Sequence, residues 1–276
     1  MEFNTKNNGL IKDIVDKVMD QKKYKNLSRD VVVTEVMEYI KKNSKLMNNK
    51  QTIKGIRAQL HKSYSSFQTK KKRKAEEYLE YLKQNINSKD IQNRLLSITV
   101  STKERLPYYE ELYQKIFQIT GKPQTIIDLG CGLNPFSYPL MDLSSVNYLA
   151  YDVDNEDMKL LNDYFKLMKS EGLNGKAAIL DVRNTKSISS IPPSDIILLL
   201  KTIDIIDKEN HKPSEELIKQ LIKKTKFIIV SFATKTLTRK PMKNPKRKWF
   251  MLMLERLNFK YKIIETSNEI YYVIFQ

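Results

Sequence analysis

Residues Thr125 to Pro135 read T-I-I-D-L-G-C-G-L-N-P, and this stretch decides the fold. Apolar and β-branched residues flank Asp128 and lead directly into Gly130-Cys131-Gly132. This pattern is typical of a buried strand in a parallel sheet, and glycines at its end allow a tight turn where a ligand approaches the backbone. The stretch therefore predicts the first strand of an α/β domain with a ligand site at its carboxyl end.

A second apolar segment supports a nucleoside ligand. Residues 148–154 read Y-L-A-Y-D-V-D and place Asp152 20 residues after Gly132. In nucleoside-binding α/β folds, a carboxylate at this point accepts hydrogen bonds from the ribose hydroxyls. No third glycine follows at the G-x-G-x-x-G position, where Asn134 and Pro135 stand, so a pyrophosphate cradle is disfavoured. The spacing favours S-adenosylmethionine (SAM) over NAD, and the alternative is a purely structural turn.

The rest of the chain shows two different patterns of secondary structure. From Leu10 to about Leu96 the apolar spacing is helical, with a second helix beginning at the Ser28 cap. After Ser101, strands and helices alternate, which predicts a Rossmann-like, doubly wound parallel sheet. The predicted strands are 125–129, 147–152, 176–180, 196–200 and 227–232, followed by an antiparallel hairpin of 261–265 and 270–275. We therefore expect an all-α N-terminal domain over residues 1–100 and a methyltransferase domain over residues 101–276.

Charge is segregated along the chain, which has a net charge of +17. Residues 1–100 carry 22 Lys and Arg against 11 Asp and Glu, and residues 219–248 carry 11 against none. Residues 101–218 are acidic, with 13 against 18. A lysine-rich composition alone could reflect a solvated surface, but it would not explain the segregation. Two basic regions beside an acidic one predict binding to a polyanion, of which nucleic acid is the commonest.

Composition excludes several classes of site. The single cysteine, Cys131, excludes an internal disulfide and a cysteine-based zinc or iron–sulfur centre. The two histidines, His61 and His211, are far apart in sequence, so we expect no metal centre. No apolar run of 18 residues and no signal-peptide core are present, which predicts a cytoplasmic protein without a membrane segment.

The strand ends provide the candidate ligand residues, because ligands of open α/β sheets bind at the carboxyl ends of the strands. Gly130, Gly132 and Asp152 end the first two strands. Asp181 follows the third, where it would bind the exocyclic amine of adenine or cap the next helix. Lys201 follows the fourth, where it would meet an anionic ligand group or extend to solvent.

Several motifs resemble those of the aminoglycoside-resistance methyltransferases that modify a guanine N7 in the decoding region of bacterial 16S rRNA. The resemblance covers nearly the whole chain. The matching segments are Lys22-Lys23-Tyr24-Lys25-Asn26-Leu27, Leu60-His61, Ser101-Thr102-Lys103-Glu104-Arg105, Asp128 to Pro135, Tyr151-Asp152-Val153-Asp154 and Leu199-Leu200-Lys201.

The resemblance implies roles for particular residues. Arg105 would pair with the methionyl carboxylate of SAM, a task suited to a guanidinium group. His61 is interpreted as a structural helix residue. The predicted cofactor ligands are Arg105, Asp128, Gly130, Gly132, Asp152, Asp181 and Lys201. The residues predicted to position the target nucleotide are Lys235, Arg239 and Lys240. The other predicted RNA contacts are Lys22, Lys23, Lys70, Lys71, Arg73, Met242 and Trp249.

The segment that the resemblance places over the target base departs from the family pattern. Ser231 to Leu237 fits the family's S-F-P-x-[RK]-S-L except at Ala233, and Trp249-Phe250 is present. The loop between them is two residues shorter than in the family and has neither glycine nor acid. Lys240 and Met242 align with a family lysine and methionine, but Pro241 replaces the glycine between them.

The chemistry expected is direct methyl transfer to an RNA base. A guanine N7 has an in-plane lone pair and needs no general base, and cytosine N4 is an open alternative. Attack through pyrimidine C5 usually requires a cysteine adduct, for which Cys131 is badly placed.

The function predicted is methylation of assembled small-subunit rRNA by a monomer. The alternatives are methylation of tRNA or another RNA, and a SAM-binding, ribosome-associated factor without activity. A small-molecule substrate would not require the basic regions.

Overall fold

The computed structural model describes residues 5–43, 49–64, 74–207, 210–236 and 240–276. The chain forms two compact units. The first comprises Met1–Lys70 together with Val153–Glu156, and the second comprises Lys71–Asp152 and Asp157–Gln276. The division therefore falls after Lys70, whereas the sequence analysis placed a domain boundary at residue 100. The described residues 74–100 belong to the second unit.

The described part of the first unit contains the helices α1 (Thr5–Met19), α2 (Arg29–Lys42) and α3 (Asn49–Tyr64). Its core includes Ile14, Val15, Val32, Val36 and Leu60, at the helical spacing expected from the sequence. Ser28 precedes α2 as predicted, but its side chain makes no capping hydrogen bond. Met37 on the same helix is 42% exposed.

The second unit contains a seven-stranded sheet. The strands are β1 (Thr125–Leu129), β2 (Val146–Asp152), β3 (Leu173–Ile179), β4 (Ser194–Leu200), β5 (Thr225–Ala233), β6 (Lys260–Glu265) and β7 (Glu269–Phe275). Their order in the sheet is β3-β2-β1-β4-β5-β7-β6. Strands β1 to β5 pair in parallel, and β7 pairs antiparallel with both β5 and β6. The doubly wound sheet and its closing hairpin are confirmed. Strand β3 begins three residues earlier than predicted.

Helices cover both faces of the sheet. Ile126 and Tyr148 pack in one core with α4, α5, α7 and α8, while Ile127 and Leu129 pack in a second core with α9 to α12. Neighbouring strand residues enter opposite cores because successive side chains of a strand point to opposite faces. The helices of this unit are α4 (Ala75–Gln84), α5 (Lys89–Leu96), α6 (Val100–Arg105), α7 (Tyr109–Thr120), α8 (Asn155–Leu167), α9 (Thr185–Ser190), α10 (Ile203–Ile206), α11 (Lys212–Leu221) and α12 (Lys248–Arg256).

Two further structural features bear on the classes of site. None of the helices in the described ranges combines the length and apolar character that a membrane crossing requires. Within the same ranges, no three or more His, Cys, Asp or Glu side chains are grouped so that they could hold a metal ion.

Candidate functional site

The two glycines after β1 are required for different reasons. Both have a positive φ, 68° at Gly130 and 50° at Gly132. A Cβ atom added at Gly130 would lie 2.8 Å from the hydroxyl oxygen of Thr202, so this glycine allows close packing within the fold. A Cβ atom added at Gly132 would meet nothing within 4 Å. The open space at the turn is therefore at Gly132, beside the carboxyl ends of β1 and β2.

Asp152 lies at the end of β2, next to this turn. Its Oδ2 accepts a hydrogen bond of 2.7 Å from the backbone N–H of Gly132. The backbone N–H groups of Gly130 and Cys131 both donate to the carbonyl oxygen of Tyr151, which fixes the turn against β2. The predicted pair of glycine turn and carboxylate is thus brought together. Open space and a carboxylate acceptor at one edge fit a nucleoside cofactor whose hydroxyl groups donate hydrogen bonds.

Asp128, a predicted cofactor ligand, is fully buried beneath the turn. Its Oδ2 accepts hydrogen bonds from the Tyr148 hydroxyl at 2.8 Å and from the Asn134 amide at 2.9 Å. Its Oδ1 is buried without a hydrogen-bond partner among the described residues. Burial raises the pKa of the Asp128 carboxyl to about 6, although the bonds from Asn134 and Tyr148 lower it. The immediate role of Asp128 is therefore to organise the turn from within the core.

Arg105, also a predicted cofactor ligand, pairs with a residue that the sequence analysis missed. Its Nε donates to Oε2 of Glu269 at 2.7 Å, and its Nη1 donates to Oδ1 of Asn134 at 3.2 Å. Both charged side chains are almost fully buried. Burial lowers the pKa of the Arg105 guanidinium, but Glu269 and neighbouring tyrosines outweigh it and raise this pKa. Its pairing with a cofactor carboxylate remains a prediction.

Lys201 belongs to the same ion network. Its Nζ lies 2.9 Å from Glu104 Oε2 and 3.4 Å from Glu269 Oε2, and its side chain is 14% exposed. Its backbone has a left-handed φ of 57°, and its N–H donates to the hydroxyl of Ser231. Ser231 in turn donates to Oε1 of Glu269 at 2.6 Å. The side chain thus neither extends to solvent nor stands unpaired at the strand end, since carboxylates of its own chain already compensate its charge.

Asp181 is held by its neighbour Arg183. Nη2 of Arg183 lies 2.7 Å from Oδ2 of Asp181, and Nε lies 3.0 Å from Oδ1. The cap of α9 is Asn184, whose Oδ1 accepts from the N–H groups of Lys186 and Ser187. The helix-capping alternative for Asp181 is therefore wrong. Its adenine-binding role remains a prediction.

The segment after β5, which we call the target-base loop (residues 235–248), begins as a short hairpin. Lys235 pairs with Pro241 as an isolated antiparallel bridge. The N–H of Met242 donates to the carbonyl of Thr234, and the N–H of Thr236 donates to that of Lys240, both at 2.9 Å. Lys235 and Lys240 are exposed, and Met242 is partly buried. Arg239 lies outside the described residues.

Trp249, a predicted RNA contact, already has aromatic neighbours. Its ring stacks on His211 with a centroid distance of 3.5 Å and an interplanar angle of 2°. Phe232 and Phe250 contact it edge-on. His211 also lies 3.0 Å from a carboxylate oxygen of Asp207. Trp249 therefore has a packing role in the protein itself.

In the helical unit, Lys22 and Lys23 are exposed, as RNA contacts require. The Nζ of Lys23 lies 2.6 Å from Nδ1 of His61. The other predicted contacts in this region, Lys70, Lys71 and Arg73, lie outside the described residues.

Comparison with known proteins places the chain in a family. Residues 22–273 match the family described as Ribosomal RNA methyltransferase (FmrO). The chain belongs to the FmrO family. The predicted resemblance is thus confirmed over both units. A relative from Micromonospora echinospora, named 16S rRNA (guanine(1405)-N(7))-methyltransferase, is 32% identical over 184 residues. That match covers 66% of this chain and 64% of the relative, so less than two thirds of the relative's length is spanned.

Solved structures agree on the fold of this FmrO-family chain. The 16S rRNA methyltransferase RmtF, crystallised with S-adenosyl-L-homocysteine, has a TM-score of 0.77 at 21% identity, covering 96% of this chain and 98% of RmtF. The 16S rRNA methylase RmtB has a TM-score of 0.72 at 23% identity, with coverage of 96% and 98%. At these identities the likeness establishes the methyltransferase fold.

Proposed function

We propose that this protein is a SAM-dependent methyltransferase that modifies a base of 16S rRNA in the decoding region of the small ribosomal subunit. Guanine N7 is the target atom favoured by the resemblance, and cytosine N4 is the alternative. The observation that carries the proposal is the pairing of open space at Gly132 with the Asp152 carboxylate, in a chain that matches the FmrO family over residues 22–273.

The residues at the strand ends would hold SAM. Asp152 would accept hydrogen bonds from the ribose, Asp181 would bind the adenine amine, and Arg105 would attract the methionyl carboxylate. When bound, SAM supplies an electrophilic methyl carbon attached to a sulfonium sulfur. The protein then has chiefly to align the nucleophilic nitrogen of the base with that carbon.

The nucleophile comes from the RNA base under this proposal. Cys131, the one thiol of the chain, is buried, and burial raises the pKa of its thiol. A thiol held in its neutral form is a poor nucleophile, which disfavours attack through a cysteine adduct. Transfer to a ring or exocyclic nitrogen requires no such adduct.

The basic residues would hold the RNA. Lys22, Lys23, Lys235 and Lys240 are exposed, which suits contact with phosphates. Lys70, Lys71, Arg73 and Arg239 are proposed for the same task from the sequence. Met242 and Trp249 offer apolar surface near an extruded base.

The test is to incubate the protein with tritiated SAM and purified small subunits and to map the labelled nucleotide. Label in one decoding-region nucleotide supports the proposal. The control is Asp152→Ala, which should abolish labelling at limiting SAM. Label in tRNA with none in subunits would identify tRNA, and not 16S rRNA, as the substrate. Tight binding of SAM and of subunits without transfer would identify a non-catalytic factor.

A further inference from the structure

Arg247 differs from the other basic residues in the described part of the target-base loop. Lys235, Lys240, Lys243 and Lys248 are exposed, whereas the side chain of Arg247 is only 14% exposed. Arg247 stands at the point where the loop enters α12. Its burial is inconsistent with a cation that simply extends into solvent to meet RNA.

The Arg247 guanidinium contacts four groups of the protein. Nη2 lies 3.0 Å from Oδ2 of Asp204 on α10. Nη1 lies 3.3 Å from the carbonyl oxygen of Pro245 and 3.4 Å from the sulfur of Met242. The guanidinium carbon lies 5.2 Å from the ring centroid of Phe232 at the end of β5. One planar group thus joins α10, β5 and two points of the loop.

These contacts direct the charge of Arg247 toward the protein. Asp204 compensates the positive charge, and the Phe232 ring further favours the cation from one side. A cation that is paired and mostly buried displaces few counterions from RNA, so it adds little to salt-dependent binding. Its contacts instead fix Met242 and Pro245 relative to the strand end that carries Ser231.

We propose that Arg247 is a positioning residue of the methyl-transfer site, which holds Met242 and the loop backbone in the geometry that aligns the target base. This inference rests on the proposed function and deepens it, because it separates the basic residues of the loop into two tasks. The exposed lysines bind phosphates, and Arg247 sets the shape of the surface against which the base is placed.

The kinetic test compares substitutions that change charge in opposite directions. Arg247→Ala should lower kcat for methylation of small subunits by about 10- to 100-fold, since small misplacements of reacting groups are costly. SAM affinity, the KM for subunits and the salt dependence of binding should stay close to wild type. Asp204→Asn makes the protein more positive, yet it should also lower kcat because it removes the partner of Arg247.

Two further variants sharpen the test. Arg247→Lys keeps the charge but lacks the planar fork, so it should restore only part of kcat. Lys243→Ala is the matched control, since it removes one exposed charge from the same segment. It should weaken subunit binding, raise the KM for subunits and reduce the salt slope of binding by about one unit.

The contrary result is a reversal of this pattern. If Arg247→Ala behaves like Lys243→Ala, and Asp204→Asn tightens subunit binding with kcat intact, Arg247 is a phosphate contact and the inference fails. Limited trypsin digestion of the free protein gives an independent measure. Cleavage after Lys243 and Lys246 should be faster in both Arg247→Ala and Asp204→Asn, and unchanged rates would also overturn the inference.

The digestion measurement separates this inference from the proposed function. If the wild-type protein transfers no methyl group to any RNA, the proposed function fails. The cleavage rates still decide whether Arg247 holds the loop. Circular dichroism and thermal unfolding of each variant establish that a loss of kcat does not come from unfolding.

Discussion

At the scale of single residues, Asp128 shows how the core supports the cofactor turn. Its carboxyl group is fully buried and is bonded by Tyr148 and Asn134, with Asn134 also accepting from Arg105. The Asn134 amide therefore links the buried carboxyl to the buried guanidinium. Burial disfavours the charged form of Asp128 and so raises the pKa of its carboxyl. The free energy of unfolding therefore depends on pH where this group titrates.

The first prediction follows from that pKa, which is about 6 in the folded protein against an ordinary value of 3.8. A raised carboxyl pKa gives stability that is present at low pH and lost as the pH rises through 6. Asp128→Asn removes this titration. The unfolding free energy of Asp128→Asn relative to wild type should therefore rise by about 2 kcal/mol between pH 4 and pH 7. Urea unfolding at both pH values checks it, and a difference independent of pH would contradict the assignment.

The second prediction concerns Asp152. Asp152→Ala should weaken SAM binding by about 2 to 4 kcal/mol, because charge-assisted hydrogen bonds to the ribose are lost. The bond that Asp152 accepts from Gly132 is also lost, so the turn itself loosens. Isothermal calorimetry measures the affinity, and Asp163→Ala on the exposed side of α8 is the control. A folded Asp152→Ala protein with wild-type affinity would remove Asp152 from the site.

Single residues also show which neighbours in the fold could be predicted from the sequence and which could not. The spacing from Gly132 to Asp152 predicted that both lie at one ligand site, and the structure brings them within hydrogen-bonding distance. Glu269 left no such signal, because it lies 164 residues from its partner Arg105. The network of Glu269 with Lys201 and Ser231 arises only when β4, β5 and β7 are placed side by side in the sheet. Such a pairing across the sheet cannot be read from local pattern.

At the scale of elements, the hairpin at the start of the target-base loop accounts for Pro241. The two flanking hydrogen bonds join Met242 to Thr234 and Thr236 to Lys240. Lys235 and Pro241 therefore form a non-hydrogen-bonded pair, in which the N–H that proline lacks is not used. Proline in place of the family's glycine is thus compatible with the pairing of Lys235 and Pro241.

The third prediction tests the exposed cations of this loop. Lys235→Ala and Arg239→Ala should each weaken methylation of small subunits and leave SAM binding intact. Each lost phosphate contact should also reduce the salt slope of subunit binding by about one unit. Filter binding over a series of salt concentrations gives the slope. Full methylation by the double variant would show that the loop is a solvated surface. A loss of SAM affinity would show that the RNA substrate does not bind on the side of the sheet proposed for it.

The strands were easier to predict than the unit to which each helix belongs. Strand β1 has the predicted bounds, because an apolar run ending at two glycines marks both of its ends. Helices α4 and α5 were assigned to the N-terminal domain, but they pack in the core of the sheet unit. An amphipathic pattern shows that a helix buries one face, and it does not show against which partner. Neither a proline nor a glycine marks the division near residue 70.

At the scale of the whole molecule, the two units differ in what they require to fold. Leu79, Leu82 and Leu95 of α4 and α5 share a core with Tyr148 of β2. Each buried leucine contributes about 1.5 to 3 kcal/mol, so these helices are part of the sheet unit's stability. The basic helical unit ends before them.

The fourth prediction uses this division. A protein lacking residues 1–70 should stay folded and bind SAM, but its affinity for small subunits should be lower and less dependent on salt, because basic residues are removed. A protein lacking residues 1–95 should unfold at a much lower temperature or aggregate, since the core of the sheet is exposed. Thermal unfolding and subunit binding at several salt concentrations distinguish the two. Equal stability of both truncations would show that α4 and α5 are dispensable.

Val153–Glu156 belong to the helical unit although they lie far along the chain from its other residues, and this has a consequence for synthesis of the chain. Within that unit, the N–H of Ser28 donates to the carbonyl of Val153, and the N–H of Asn155 donates to that of Asn26. A translating ribosome reaches these residues about 80 residues after Lys70, which takes roughly 4 to 16 s at ordinary elongation rates. The nascent helical unit therefore lacks its last segment until β1 and β2 have been made. Its completion during translation is tied to the strands that carry the cofactor turn.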